Sequence, residues 1–578
     1  MQVFRVWAPL AKKLAVQAGD VRAAMQGPDE RGWWKADVQS AGPGIDYGFL
    51  IDDDERAYPD PRSLWQPKGV HGLSRVFDQS SFAWSDAGFK APPLADSILY
   101  ELHVGTFTPE GTLDSAIEKL DELKDLGITH VELMPIAGFA GGHGWGYDGV
   151  SLYAVHEPYG GPDALKRFVN AAHGKGLAVL LDVVYNHFGP AGNYSGKYGP
   201  YTTEQHHTPW GGAVNLEDAW SDEVRRFFCD NALMWMREFH MDGLRLDAVH
   251  AFVDRSAIHF LEQLARGTDA LEAELGRPLV LIAESDLNDP RVVTEIEAGG
   301  YGIDAQWSDD FHHALFAALV REPEGGYYSD FGSMEQLKKS IEETFVYDGA
   351  YSEHRKRVHG RPVAHISPHR FLGYIQNHDQ VGNRAVGDRL HQDVGLDRAM
   401  VAAAIVLTAP FIPMIFQGEE WAASAPFQYF ADHADRELAR QVSEGRIREF
   451  AAFGWGPGDI PDPEKKETFE RSKLDWGEAN QGDHARMRSW YKDLIRLRLS
   501  SPSLNDGSPG QTRVTCSAAE RWLRMKRGGI ELFCNIGERP AQFAVAASPS
   551  LLLSSRAEAV LRDGSITLPP DTAVILGR

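Results

Sequence analysis

Cysteine is nearly absent: only Cys229, Cys516 and Cys534 occur in 578 residues. An odd, scattered trio builds neither a disulfide framework nor a paired-cysteine metal site, and it favours a reducing compartment, so a cytoplasmic protein is expected. Positive charge is scarce too. Lys and Arg number 58 against 82 Asp and Glu, a formal charge of −24, which argues against nucleic acid and anionic lipid as partners because both require basic patches. A neutral ligand fits better. Long hydrophobic runs are also missing: the longest, Met400 to Phe416, is interrupted by Pro410 and Pro413 and reads as a buried helix followed by a buried strand, so no membrane span is expected. The segment Met1 to Pro9 has no apolar h-region and reads as a strand, so no signal peptide is expected. No internal repeat or long low-complexity tract is visible.

What is present supports a large α/β protein. An apolar content of 43% allows a sizeable core, and the length exceeds one ordinary domain. Residues 1–92 read as a small β-sandwich with strands at Phe4–Trp7, Trp33–Val38 and Tyr47–Ile51, followed by turns at Asp60–Ser63 and Gln66–Gly69. Its tryptophans are assigned to core packing ahead of sugar stacking. From 93 to 500, strands alternate with helices. Leu113, Ile117, Leu120 and Leu123 share a helix face, with Gly127 at its C′ position. Expected strands are Ser97–Phe107, His130–Pro135, Leu177–Val184, Gly243–Val249, Val280–Ser285, Asp304–Ser308, Phe371–Asn377 and Phe411–Gly418. Eight such strands predict a (β/α)8 barrel, with loop insertions at about 188–235 and 420–476. Residues 501–578 read as an antiparallel β-domain.

Polar residues gather where the barrel strands end. Strand three closes in Asp182, Asn186 and His187, strand four in Arg245, Asp247 and His250, strand five in Glu284-Ser285-Asp286, and strand seven in Gln376-Asn377-His378-Asp379-Gln380. Alternation turns Arg245 and Asp247 to one face and Leu244 and Leu246 to the other; an arginine fixed beside a carboxylate favours its ionised form. Alone, that pair reads equally well as a structural ion pair. Three acids on three strands, with two histidines and an arginine, would be costly to bury together as mere structure. No H-x-x-x-H or paired-cysteine pattern accompanies them, so they are read as reagents, and neither metal nor cofactor is expected.

The stretches Asp182–His187, Gly243–Asp247, Glu284 and His378-Asp379 resemble the four signature regions of the α-amylase family, glycoside hydrolase family 13. The resemblance spans nearly the whole chain. It implies Asp247 as nucleophile, Glu284 as general acid/base and Asp379 as the fixed carboxylate that helps stabilise the transition state. It further implies that His187, Arg245 and His378 hold hydroxyls and charge at the cleaved sugar, that Tyr147 is its stacking platform, and that Asp182 is a structural or binding acid. The residue types suit a retaining glycosidase, which needs an ionised nucleophile and a protonated acid roughly 5 to 5.5 Å apart. Glu284 follows the apolar Leu279–Ala283, where desolvation raises a carboxyl pKa. Trp145, Tyr147, Trp210, Trp307, Trp421 and Phe427 fall in expected loops or strand ends and offer aromatic walls for sugar, though each could equally serve packing.

Longer stretches narrow the resemblance. Asp242–Phe252, Asn377–Arg384 with Gly387–Arg389, Gly418–Ser424 with Pro426–His433, and Thr468–Trp476 are similar to the branch of the family that cuts the α-1,4 bond next to a terminal trehalose. The implied substrate is maltooligosyltrehalose and the implied products are trehalose and a maltooligosaccharide, with Gln380 among the substrate contacts. Asn186 matches a calcium-binding position of many α-amylases, yet no companion ligands are recognisable. Where many maltose-releasing relatives carry Lys-His, three and four residues after the nucleophile, this chain has His250 and Ala251. His250, with the Glu419–Phe430 loop, is therefore expected to recognise the α,α-1,1-linked leaving group; the alternative is that it packs under that loop. Competing readings are an α-glucan transferase such as a branching enzyme, and a non-catalytic glucan-binding protein, against which the intact set of three acids counts. The charged residues between 431 and 476, including Arg446, are expected on a solvated rim.

Overall fold

The computed structural model describes residues 1–320, 326–451, 455–456, 458–546, 549–562 and 564–577. At the amino end, Gln2–Trp7 pairs antiparallel with Trp33–Val38, and a second sheet runs in the order Val21–Ala24, Leu14–Ala18, Asp46–Ile51, Ser74–Arg75. Alternate side chains of Leu14–Ala18 and Trp33–Val38 are buried, the pattern of strands with one face on a core. Phe4, Val6, Val16, Trp34 and Phe49 belong to that core.

Eight parallel strands then close into a barrel: Leu99–Leu102, His130–Leu133, Ala178–Val183, Gly243–Leu246, Val280–Ala283, Ala305–Trp307, Phe371–Gly373 and Ile412–Phe416. Gly243 is required where its strand passes the fifth, because a Cβ there would lie 2.3 Å from the Val280 carbonyl oxygen. Every strand begins close to expectation, but the first, fourth and seventh stop well short of the expected ends, at Leu102, Leu246 and Gly373. The reason is local. After Asp247 the chain enters a left-handed conformation at Ala248 (φ 40°, ψ 52°), rare for a residue with a side chain, and after Gly373 the Asn377 side chain caps a helical turn, His378–Gly382, by accepting from the Gln380 amide at 2.7 Å. These turns take the backbone out of the sheet where the polar residues begin. The helix expected from Leu113 is also broken, into Leu113–Ile117 and Leu120–Leu126, with Gly127 at φ 102° closing the second piece.

Inside the barrel, Leu99, Leu180, Ile282, Trp307, Leu372, Ile412 and Met414 form an apolar floor. Above it the interior turns polar, with Glu101, Glu132, Asp182, Arg245 and Gln306 all buried. That layer supports the site. The insertions contain a hairpin, Thr202–Thr208 with Gly211–Val214, and the helices Arg436–Ala451 and Lys466–Arg471. Contrary to the expected solvated rim, Arg446 is buried, its guanidinium donating to the Gly382 carbonyl at 2.5 Å. At the carboxyl end, Thr512–Ser517, Trp522–Arg527, Ile530–Asn535, Thr572–Gly577 and Ser550–Ser554 form a five-stranded antiparallel sheet. Arg527 ties it to the barrel by donating to the Thr408 and Ala409 carbonyls. No described helix is long and apolar enough to cross a membrane.

Candidate active site

The strand ends meet in a cleft of ≈ 470 Å³ walled by Trp145, Tyr147, His187, Trp210, Asp247, His250, Glu284, His378 and Asp379. Arg245, fully buried beneath it, organises the acids. Its Nη1 donates to Asp182 Oδ2 and Asp247 Oδ1, and its Nη2 to Glu284 Oε2, each at 2.8 Å. Burial opposes the guanidinium charge, but the surrounding Asp182, Tyr147, Glu284 and Asp247 outweigh it and push the pKa up. The indole of Trp307 lies 4.2 Å from Arg245 Cζ as a cation–π partner. One rigid planar fork therefore fixes the spacing of two carboxyl groups.

Those two groups sit in different surroundings. Asp247 Oδ2 accepts from the Asn186 amide at 2.7 Å, so both its oxygens are held by donors. Glu284 Oε2 accepts from Arg245 and from the Ala248 amide at 2.8 Å, while Oε1 meets no hydrogen-bond donor among the described residues. Burial pushes the Glu284 pKa well above the usual carboxylate range against the pull of Arg245, and Asp247 and Asp379 add to the rise. A proton on Oε1 would face the cleft.

The opposite wall is built around His378. Its backbone amide and Nδ1 both donate to the Glu101 carboxylate, at 3.0 and 2.5 Å. Burial pulls the imidazole pKa down, yet Glu101 and Asp379 overcome it and raise it to about 9. His378 is therefore cationic at neutral pH, with Nε2 3.6 Å from Asp379 Oδ1. Tyr147 stacks on it, centroids 5.0 Å apart at 23°, and donates to Asp182 Oδ2 at 2.5 Å. Asp182 lies behind the wall rather than in the cleft; burial raises its pKa to about 6 despite Arg245. Asp379 also accepts from Asn383 Nδ2 at 3.1 Å. His187 donates from Nδ1 to Asn186 Oδ1 and stacks on Trp210 at 5.2 Å, and burial lowers its pKa. Asn186 is thus committed to Asp247 and His187. No cluster of three or more His, Cys, Asp or Glu placed to hold a metal occurs among the described residues.

Four expected contacts need correction. Trp421 is fully buried, packed on Trp476 and donating to Glu478. Phe427 is equally buried and stacks behind Trp145 at 5.4 Å. Their positions just after a strand end matched the aromatic-wall pattern, but both side chains point into the apolar layer under the loops. Trp307 lies within the barrel under Arg245. Gln380 is absent from the main cleft and instead lines an adjoining cavity of ≈ 300 Å³, where Tyr328 donates to its Oε1 at 2.8 Å. Asp286, Asp379 and Asn383 line both spaces.

Residues 75–207 match the family model for the alpha amylase catalytic domain. The chain is 49% identical to the malto-oligosyltrehalose trehalohydrolase of Rhizobium sp. (strain M-11), over 99% of this chain and 97% of that one. It is 52% identical to the enzyme of that name from Arthrobacter ramosus, over 95% of each. The chain belongs to the malto-oligosyltrehalose trehalohydrolase family. Its fold matches a Salmonella typhimurium protein described as a candidate alpha amylase, with TM-score 0.91 and 36% identity over 100% of this chain and 97% of that one. A 1,4-alpha-glucan branching enzyme of Corynebacterium jeikeium is more distant, 29% identical over 72% of this chain and 60% of its own.

Within this trehalohydrolase-family site, sequence reasoning missed Glu101, Glu132, Asn383 and Arg446. Glu101 lies in the first barrel strand, Leu99–Leu102, and a charged residue inside a barrel strand was its signal. Glu132, in His130-Val-Glu-Leu133, carries the same signal; burial raises its pKa well above the usual range, and neither oxygen has a hydrogen-bond partner among the described residues.

Proposed function

We propose that the protein is a retaining glycoside hydrolase that cleaves the α-1,4-glucosidic bond next to the terminal trehalose of maltooligosyltrehalose, releasing trehalose and a maltooligosaccharide. The observation that carries the reading is the Arg245 fork holding Asp247 as a donor-bound carboxylate and Glu284 as a buried acid with a free oxygen. The sugar before the cut stacks on Tyr147. Asp247 forms a bond to its anomeric carbon as the glycosidic C–O bond breaks; the bonding pair goes to the glycosidic oxygen, which takes the Glu284 proton. Trehalose leaves. Water then attacks the anomeric carbon, gives its proton to Glu284 and frees Asp247. His378 and Asp379 hold hydroxyls of the distorted ring.

The leaving side lies beyond Glu284, toward the ≈ 300 Å³ cavity. His250 lines the cleft there, where the leaving disaccharide would lie. The names of the relatives support trehalose as that disaccharide. A branching transferase would use the same acids but deliver the sugar to another glucan hydroxyl. Treatment with a 5-fluoroglycosyl fluoride and peptide mass analysis is expected to find the sugar on Asp247; a label elsewhere, or inversion of the anomeric centre, would refute the mechanism.

A further inference from the structure

A second groove of ≈ 460 Å³ lies where the amino-terminal module meets the barrel. One wall is the Gln66–His71 loop; the others are Gly138–Gly141, after the second barrel strand, and 155–158. Phe139 and Ala140 line both this groove and the candidate active cleft. We infer that the groove holds glucose units of the maltooligosaccharide chain remote from the cut, making the amino-terminal module part of the substrate-binding surface. This rests on the glucan-cleaving reading of the cleft.

Direction follows from the barrel. Glu284, which protonates the leaving oxygen, is on strand five, and the ≈ 300 Å³ cavity beyond it is lined from strands five to seven by residues such as Asp286, Asp309 and Gln380. Tyr147 and the Phe139–Ala140 ridge follow strand two, on the other side of Asp247. The second groove therefore extends the chain side and not the leaving side. Its chemistry suits a neutral, amphipathic sugar: Pro67, Val70 and Pro158 are apolar, while Lys68 and Glu157 carry opposite charges. It is also preformed. Trp65 Nε1 donates to Glu157 Oε2 at 2.8 Å, His71 Nδ1 and the Tyr194 hydroxyl are 2.8 Å apart, and Arg62 joins Tyr153 and Asp230 across the junction. A rigid groove at a module interface costs little ordering on binding.

The test uses the full-length Glu284→Gln protein, which should bind glucan without turning it over, and titration calorimetry with maltotriose and with maltoheptaose. The longer chain is expected to bind about tenfold more tightly, and that advantage should fall toward unity in the Lys68→Ala/His71→Ala variant and in Pro158→Trp, which narrows the groove. Equal affinity for both sugars in the parent, or an undiminished advantage in both variants with unaltered Tm, would overturn the inference alone. Failure of either sugar to bind the parent would overturn the glucan reading as well.

Discussion

Asp247 and Glu284 share one arginine but differ in surroundings: Asp247 is held by donors at both oxygens, whereas Glu284 keeps one oxygen free and burial pushes its pKa well above the usual carboxylate range. The separation of roles has a direct test. Glu284→Gln should lower kcat on maltooligosyltrehalose roughly a hundred- to ten-thousandfold, but a glycosyl fluoride, whose leaving group needs no proton, should still be attacked by Asp247 at a rate much closer to that of the parent. Equal loss on both substrates in the first, glycosyl-enzyme-forming step, read as the initial burst of leaving group, would contradict the acid role. The three acids were legible in the sequence because each stands at the end of an apolar strand, where a barrel exposes its chemistry. Trp421 and Phe427 were not, since an aromatic after a strand end carries no sign of whether the loop turns it outward or back into the core. Arg446 was hidden for another reason: its contact with Gly382 spans 64 positions, and a helix crowded with charge reads as solvated.

The element that carries Asp379 is one helical turn, His378–Gly382, held from two sides. Trp145 packs so closely that a Cβ on Gly382 would lie 2.0 Å from its ring. Arg446, on the helix Arg436–Ala451, reaches the Gly382 and Arg384 carbonyls at 2.5 and 3.2 Å and stacks near Tyr429. The insertion thereby fixes the turn that carries Asp379, the carboxylate proposed to stabilise the transition state. Arg446→Met should lower kcat about tenfold or more, since displacement by about 1 Å can cost on the order of a hundredfold, and Arg446→Lys should not restore it because an ammonium cannot span the same carbonyls. Normal kcat in both variants would show that the turn holds its own shape. Strand positions were readable from apolar runs, whereas their ends were overestimated: capping by Asn377 and the left-handed Ala248 are decisions of individual side chains and turns, invisible to periodicity.

Across the whole molecule, buried titrating groups set a pH dependence of stability. Burial raises Glu419 to about 8 and Glu420 to about 7. In the folded state these acids keep protons that the unfolded chain releases above about 4.5, so their stabilisation is lost as pH rises through the folded values. His378, at about 9 after Glu101 and Asp379 overcome burial, and His433, also about 9 through Asp148 and Glu464, are bases raised from 6.5. Their contribution is complete below 6.5 and lost as pH rises through about 9. All four act in one direction, so Tm by scanning calorimetry should decline steadily from pH 6.5 to 9, and Glu101→Gln should make the decline shallower. A flat profile would contradict the assigned protonation states.

The most direct measurement is to incubate the purified protein separately with maltotriosyltrehalose and maltopentaose and resolve the products. Rapid release of free trehalose and maltotriose from the first, with slow attack on the second, is expected. Equal attack on both would contradict trehalose recognition beyond the cut, and longer or branched products would replace hydrolysis with transfer.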